Sequence, residues 1–344
     1  MVHGTTVTLY VSALVALLAI VDCFTKDSYL AASLGIRFVT GIVSCITAQA
    51  LYVYRRDTMG AVLASLVAVA RDLEGVAGPE AQAEMERVAR RCRRLQRTWG
   101  AYSIFVVSAV LQPTLTTLDL SMPVYPRPED LPAPQFALGV TYVAQIITGT
   151  CCPIAFYTLV GLMVVAQVAC AALYHGAASV ARTAHGAADL VAFARLHALL
   201  GEAAAGLDRL TSDVMVPLLS AVLLLPIQGT YDAVLGQVDS YLMSSFPIIL
   251  VVFVPMCISG QRLSDASEQV GLSAYCGDWP SEVPRERSLR ATVMLRAAKP
   301  AQVTCRGLGA LGLPACESVL KSWFSYLQML LNLANGTGPK HRRH

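Results

Sequence analysis

The chain is short of charge. Of its 344 residues only 14% are Asp, Glu, Lys or Arg and 55% are hydrophobic, whereas soluble domains carry roughly 25% charge. A water-soluble protein of this length could not hide so much apolar surface, so the bilayer is its natural solvent. The net charge of +3 is too small to imply a nucleic-acid partner. Ten cysteines are present, yet no Cys-x-x-Cys pair or His–Cys spacing suggests a metal site. They read as small buried hydrophobes, and Cys151 and Cys152, adjacent in an apolar run, cannot join each other in an ordinary disulfide. His175, His185 and His197 stand without a nucleophile motif or a carboxylate cluster, which argues against an enzyme. No cofactor is expected. No internal repeat is visible, which counts against an inverted-repeat transporter. Residues 5–21 lack the basic start of a signal peptide, and Asp22-Cys23-Phe24 is a poor cleavage context, so they read as a first membrane span.

What the chain does have is long charge-free runs. Residues 5–21, 28–54 (interrupted by Arg37), 98–118, 136–173, 214–231 and 240–261 each have the length and composition of a span. A seventh, residues 314–334, is atypical. It follows a basic segment, 289–306, and carries Glu317 and Lys321 four residues apart on one helical face. The fold class expected is all-α, a polytopic membrane protein of seven transmembrane helices whose last helix is split into a cytosolic part and a pore-lining part.

Lys and Arg orient the spans. Stretches 55–98, 169–210 and 261–306 hold nine, three and seven of them, while 22–27, 119–135 and 232–239 hold only Lys26 and Arg127. Cytoplasmic loops collect Lys and Arg, so the N-terminus is expected in the cytoplasm and the C-terminus outside, despite the basic tail Lys340-His-Arg-Arg343. The sequon at Asn335 would then lie outside, close to the membrane. Arg37 is the odd charge in the second span, expected to snorkel outward or pair with Asp22 or Asp27, or alternatively to meet a polar group of a ligand. Val62, Leu66, Val69, Leu73 and Val76, and likewise Leu196, Leu200, Ala203, Leu207 and Leu210, recur at helical steps. They predict amphipathic helices that continue the spans below the membrane and pack either within the subunit or between subunits.

Fixed spacings mark the last third. Cys257-x-x-Gly260 is followed by Ser267, Tyr275 and Trp279, then by Arg296-Ala-Ala-Lys299-Pro300, and finally by Val319 to Tyr326 ending in Ser325-Tyr326. Upstream stand Pro123, Pro126, Asp130 and Pro134, then Tyr142 and Gln145, and His197 precedes the fifth span. This pattern resembles the insect odorant receptor family. The resemblance covers nearly the whole chain and is densest from 253 to 333. Ser325-Tyr326 and Asn332-Leu333 lie closer to the odorant branch than to the gustatory one. The second cytosolic loop lacks the long insertion of the family's shared co-receptor, so the chain looks like a ligand-tuning subunit. Members also have a longer cytosolic segment before the first span than the four residues here.

The resemblance implies a ligand-gated, non-selective cation channel, a hetero-tetramer with the co-receptor, in the plasma membrane of olfactory neuron dendrites. It divides the chain into residues 5–260, carrying an outer-half pocket for small volatile odorants, and 261–344, carrying the cytosolic link and pore helix. Pore and gate positions would be Met329, Gln328, Asn332 and Leu333. A ring of apolar side chains at Met329 could gate by dewetting. Ligand-lining positions would be Leu34, Phe38, Val107, Val110, Leu111, Tyr142, Gln145, Ile146, Tyr241, Ser244 and Ile248, a mostly apolar set with few polar anchors. The alternatives are a gustatory-receptor-like channel, a transporter, or a G-protein-coupled receptor. The last would need an external N-terminus, and the chain lacks its Asp-Arg-Tyr and Asn-Pro-x-x-Tyr motifs.

Overall fold

The computed structural model describes residues 2–26, 29–76, 79–116, 120, 122–234, 236, 240–277 and 279–336. Nine α-helices account for nearly all of these: α1 Val2–Phe24, α2 Tyr29–Val76, α3 Pro79–Thr116, α4 Pro134–Thr183, α5 Gly186–Val234, α6 Ser240–Ser245, α7 Val254–Tyr275, α8 Pro284–Ala297 and α9 Leu313–Gly336. A π-helical turn, Ile249–Phe253, joins α6 to α7. A two-residue hairpin, β1 Thr304–Cys305 against β2 Gly309–Ala310, precedes α9. The tail after Gly336 lies outside the described residues.

The lengths follow from the sequence pattern. α2, α4 and α5 have 48, 50 and 49 residues, about 70–75 Å at 1.5 Å per residue. That is more than twice the hydrocarbon thickness of a bilayer. In each helix one half is apolar, with Arg37 of α2 and Asp232 of α5 as its only charges, so that half suits lipid and the other half projects beyond it. The two stripes read from the sequence meet inside this projecting bundle. Val62, Leu66, Val69 and Leu73 of α2 and Leu196, Leu200, Ala203, Leu207 and Leu210 of α5 are buried in the same core, while Val76 is exposed. These stripes therefore pack within the chain.

Among the described residues, five segments are long and apolar enough to cross a membrane: α1, α2, α4, α5 and the run from α6 through α7. α3 falls short because its first half carries six arginines and its end carries Gln112, Pro113 and Thr114. α9 falls short because Glu317 and Lys321 occupy its start, paired at 2.5 Å.

Arg37 corrects an expectation. Its partner is Asp232, at the far end of α5, with Nε 3.0 Å from the carboxylate and the two side chains 2% and 0% exposed. Asp22 instead meets Lys26 at 3.6 Å, and Asp27 lies outside the described residues. Arg37 sits on the inward face of α2, where only a residue of a neighbouring helix can reach it.

Below the spans, the link between α7 and α9 is tied by polar contacts. Arg290 of α8 is 2% exposed. It donates to Glu282 (2.8 Å from Nε) and to the carbonyls of Ala181, Ala274 and Ala184 at 3.1, 3.1 and 3.3 Å. One guanidinium thus closes the end of α4, the end of α7 and the turn at Glu282. Asp213 of α5 accepts Arg55 of α2 at 2.7 Å and Arg306 of the hairpin turn at 3.0 Å. Gly260 of α7 lies so close to the chain entering α9 that a Cβ there would be 2.2 Å from the Leu311 carbonyl oxygen. Only glycine permits that approach.

Candidate functional site

A cavity of about 70 Å³ lies among α2, α3, α4, α5 and α6. Its walls come from the apolar parts of those helices. Phe38, Val110, Tyr241, Ser244 and Ile248, all picked out in the sequence, line it together. Leu34 and Ile146 point outward instead, 37% and 39% exposed. Val107 and Tyr142 are half-buried and off the cavity wall, and Leu111 is buried off the wall as well.

Gln145 is not part of the cavity wall. It is fully buried, and its amide clamps the backbone of Met122. Nε2 donates to the Met122 carbonyl at 2.7 Å and Oε1 accepts from the Met122 N–H at 3.2 Å. Both polar ends of the amide are thereby satisfied in an apolar setting, which removes the cost of burying them. The clamp holds the Met122 side chain over the cavity, where it forms part of the lining.

The sequence reading missed several wall residues: Cys45, Thr148, Cys152, Phe156 and Tyr157. All lie in apolar runs where nothing marks one face from another. Aromatic rings build much of the wall. Tyr241 stacks on Phe38 with ring centroids 4.4 Å apart, and the Arg37 guanidinium sits 5.9 Å from the Tyr241 ring centre. The Arg37–Asp232 pair therefore backs one wall of the cavity. Tyr157 meets Phe156 and Tyr102 edge-on at 5.2 and 5.1 Å. Polar groups are few. The Thr148 hydroxyl is fully buried and has no hydrogen-bond partner among the described residues, a state that native interiors rarely tolerate.

The floor is set by proline chemistry. Pro255 has no N–H to give the Val251 carbonyl, its partner in a regular helix. That carbonyl accepts the Trp99 indole of α3 instead, at 2.9 Å. The Tyr102 hydroxyl donates to the Ser244 carbonyl at 2.6 Å. Two side chains of α3 thus hold the π-helical turn and its approach, a local form common at functional sites.

The terminal helix is the second candidate site. α9 packs Cys316 and Leu330 inward and presents Gln328, Met329, Asn332 and Leu333 on an exposed face. Met329 and Leu333 are 50% and 58% exposed. Apolar side chains left open on this face call for another surface.

On the opposite side of the spans, His197, Ser267, Arg296, Lys299 and Pro300 converge on one cavity of about 530 Å³. Ser267 accepts the Ala301 N–H at 2.8 Å, and Asp208 accepts the N–H and hydroxyl of Thr304 at 2.7 and 2.8 Å. Burial first, and then the Arg296 charge, hold the His197 imidazole below its usual pKa. Motifs about a hundred residues apart thus meet at the base of α5. Among the described residues no group of His, Cys, Asp and Glu could hold a metal ion.

The fold and cavity define a class: a helical, multi-span membrane protein with an apolar chamber among its spans. The sequence profile of the odorant receptor family (7tm Odorant receptor) matches residues 35–324, and the chain belongs to that family. It is a receptor rather than an enzyme. No curated protein matches the sequence. Among solved structures, the chain is similar to the insect olfactory receptor OR5 of Machilis hrabei. It covers 95% of this chain and 88% of that one at a TM-score of 0.76 with 12% identity. The same receptor in complex with eugenol matches at a TM-score of 0.77 with the same coverage and identity. At that identity the likeness is one of fold.

Proposed function

We propose that the chain is the ligand-tuning subunit of an odorant-gated, non-selective cation channel, and that the cavity beneath Met122 receives the odorant. The observation that carries this reading is the apolar chamber itself, built of stacked aromatics and containing the unpartnered Thr148 hydroxyl. Such a chamber suits a small volatile molecule held by dispersion with one hydrogen bond. The similar olfactory receptor that binds eugenol supports the same class of ligand. At about 70 Å³ the chamber holds roughly two waters, so an odorant must widen it. Widening is the differential interaction that a gating ligand requires.

In this reading the chain crosses the plasma membrane seven times, with α3 and α9 as the two less apolar crossings. The N-terminus and the projecting halves of α2, α4 and α5 are cytosolic, and the end of α9 is outside. Residues 5–260 hold the ligand chamber and 261–344 the link and pore helix. Four α9 helices, from this chain and the co-receptor, surround the ion path. Their Gln328, Met329, Asn332 and Leu333 line it, which accounts for the exposed face of α9.

Whole-cell current after co-expression with the co-receptor tests the proposal. Currents evoked by some members of a volatile panel, and none without the co-receptor, are expected. A correctly trafficked chain that stays silent to every class of volatile would overturn it.

A further inference from the structure

His197, Ser267, Arg296 and Lys299 stand out in the sequence, yet they have no part in the chamber or the pore. They meet in the cavity of about 530 Å³ at the base of α5. Two polar side chains in its wall are more than nine-tenths buried, His197 of α5 at 7% exposed and Tyr174 of α4 at 4%. Neither has a hydrogen-bond partner among the described residues. Polar groups buried this deeply are normally paired. Ser267 and Asp208 are already occupied, because they hold the link through Ala301 and Thr304. Asp208 uses one oxygen, Oδ1, for both of its bonds.

The charges around the cavity are also unmatched. Arg296, Lys299 and Glu202 all line it and are exposed at its mouth. None of the three has an ion-pair partner among the described residues, although opposite charges face the same space. The cavity keeps them apart. The Arg296 charge reaches His197, so the cationic end lies beside His197. Glu202 and Asp208 follow His197 by five and eleven residues along α5, about 7 and 16 Å of rise. The cavity is therefore polarised along α5, cationic at one end and anionic toward the other. Gly201 keeps the space between open, since a Cβ there would meet nothing within 4 Å.

We propose that this cavity binds a small organic phosphate, a phosphomonoester that carries hydroxyl groups. Arg296, Lys299, His197 and the Tyr174 hydroxyl hold the phosphate. Two full positive charges and two neutral donors suit a group of about −1.5 to −2 charge with three acceptor oxygens better than they suit a monoanion. Glu202 and the second oxygen of Asp208 would repel a bare anion, and they accept the hydroxyls of the rest of the molecule. The occupant thus bridges α5 to residues 296–299, at the start of the link that leads into α9. This site does not rest on the odorant reading.

Equilibrium dialysis of the purified full-length chain in detergent micelles tests it. The radiolabelled probes are ribose 5-phosphate, glycerol 3-phosphate and adenosine monophosphate, with inorganic phosphate and ribose for comparison. At least one phosphomonoester should bind once per chain and at least tenfold more tightly than inorganic phosphate, and ribose should not bind. Arg296→Gln should weaken binding at least tenfold, and Tyr174→Phe by about 2- to 10-fold. Glu202→Gln should weaken the phosphomonoester and tighten inorganic phosphate, because a repelling charge is gone. Gly201→Leu fills the cavity and should abolish binding without lowering the melting temperature. If that variant is not monodisperse, Arg296→Gln, a change at an exposed position, decides. Failure of all three phosphomonoesters to bind overturns the site, as does unchanged binding in Arg296→Gln or in a monodisperse Gly201→Leu. Inorganic phosphate bound as tightly as the esters would make it a plain anion site. Stronger competition by dioctanoyl phosphatidic acid than by unlabelled ester would assign the phosphate to a lipid headgroup. Either result overturns the proposal.

Discussion

Replacing Arg37 by Met should destabilise the protein by about 3–5 kcal/mol, because it leaves the Asp232 carboxylate buried without its guanidinium. The magnitude follows from the geometry. The pair is 3.0 Å apart with both side chains almost wholly buried, and no bulk water reaches it to screen either charge. On the globular scale of about 2 cal/mol/K of unfolding entropy per residue, that cost lowers the melting temperature by about 4–7 °C. Fluorescence-detected size exclusion after heating reads the shift. The double variant Arg37→Met/Asp232→Leu removes both charges and should recover most or all of the loss, since a buried pair exchanged for apolar groups is often neutral or stabilising. A functional consequence accompanies the structural one. Arg37 supports the Tyr241 ring, so both variants should shift odorant sensitivity even where the double variant has regained stability. A single variant as stable as wild type, or a double variant no better than the single, would refute the argument that this pair is a matched burial.

Thr148→Val, nearly the same in shape, should weaken responses to odorants that carry a hydrogen-bonding group by about 2- to 10-fold, the worth of one net hydrogen bond, and leave responses to hydrocarbons unchanged in dose–response measurements. Ile248→Ala should enlarge the chamber, favour bulkier odorants and cost about 2–5 kcal/mol of stability, read as a lower melting temperature. For His197 the sign is set by a folded-state pKa held below the usual value near 6.5. The unfolded chain binds the proton more readily. The stabilisation is therefore full above pH 6.5 and is lost as pH falls through the lowered pKa. Melting temperatures at pH 7.5 and 5.5 should fall further for wild type than for His197→Gln. Met329→Ala should raise resting leak or change ligand sensitivity, and an unchanged current phenotype would remove Met329 from the gate.

Much of this fold was legible because a bilayer restricts what a charge can do. Charge-free runs marked where helices suit lipid, and the spacing of Val62 to Leu73 and Leu196 to Leu210 marked where they emerge and pack. The hairpin at Thr304–Ala310 went unread. It is too short for alternation to show, and it depends on Gly307 and Gly309 taking positive φ. The chamber was half legible. Phe38, Val110, Tyr241, Ser244 and Ile248 fell on its wall, yet Leu34 and Ile146 did not. In a segment that is apolar all round, periodicity carries no information about which face looks inward. Polar residues misled for a different reason. Gln145 and Arg37 are conspicuous within apolar runs, but each satisfies a distant protein group, the Met122 backbone and Asp232, and no sequence separation announces such a partner.

Pro255 and Gly260 make sense as a pair once the helices are in place. Pro255 frees the Val251 carbonyl for Trp99, which fixes the π-helical turn to α3 just below the chamber wall formed by Ser244 and Ile248. Five residues further along the same helix, Gly260 admits the Leu311 carbonyl against the helix backbone, and Gln261 accepts the Leu313 N–H at 3.3 Å. The helical run from Ile248 to Gln261 therefore touches the chamber at Ile248 and the root of α9 at Gly260 and Gln261. Packed contacts this close do not yield gradually, so a widened chamber moves the start of this helix only by breaking the Trp99 bond or by carrying the Gly260 contact with it. In the second case the displacement reaches α9 at its first turn, where Leu313 and Cys316 anchor the helix that bears Met329.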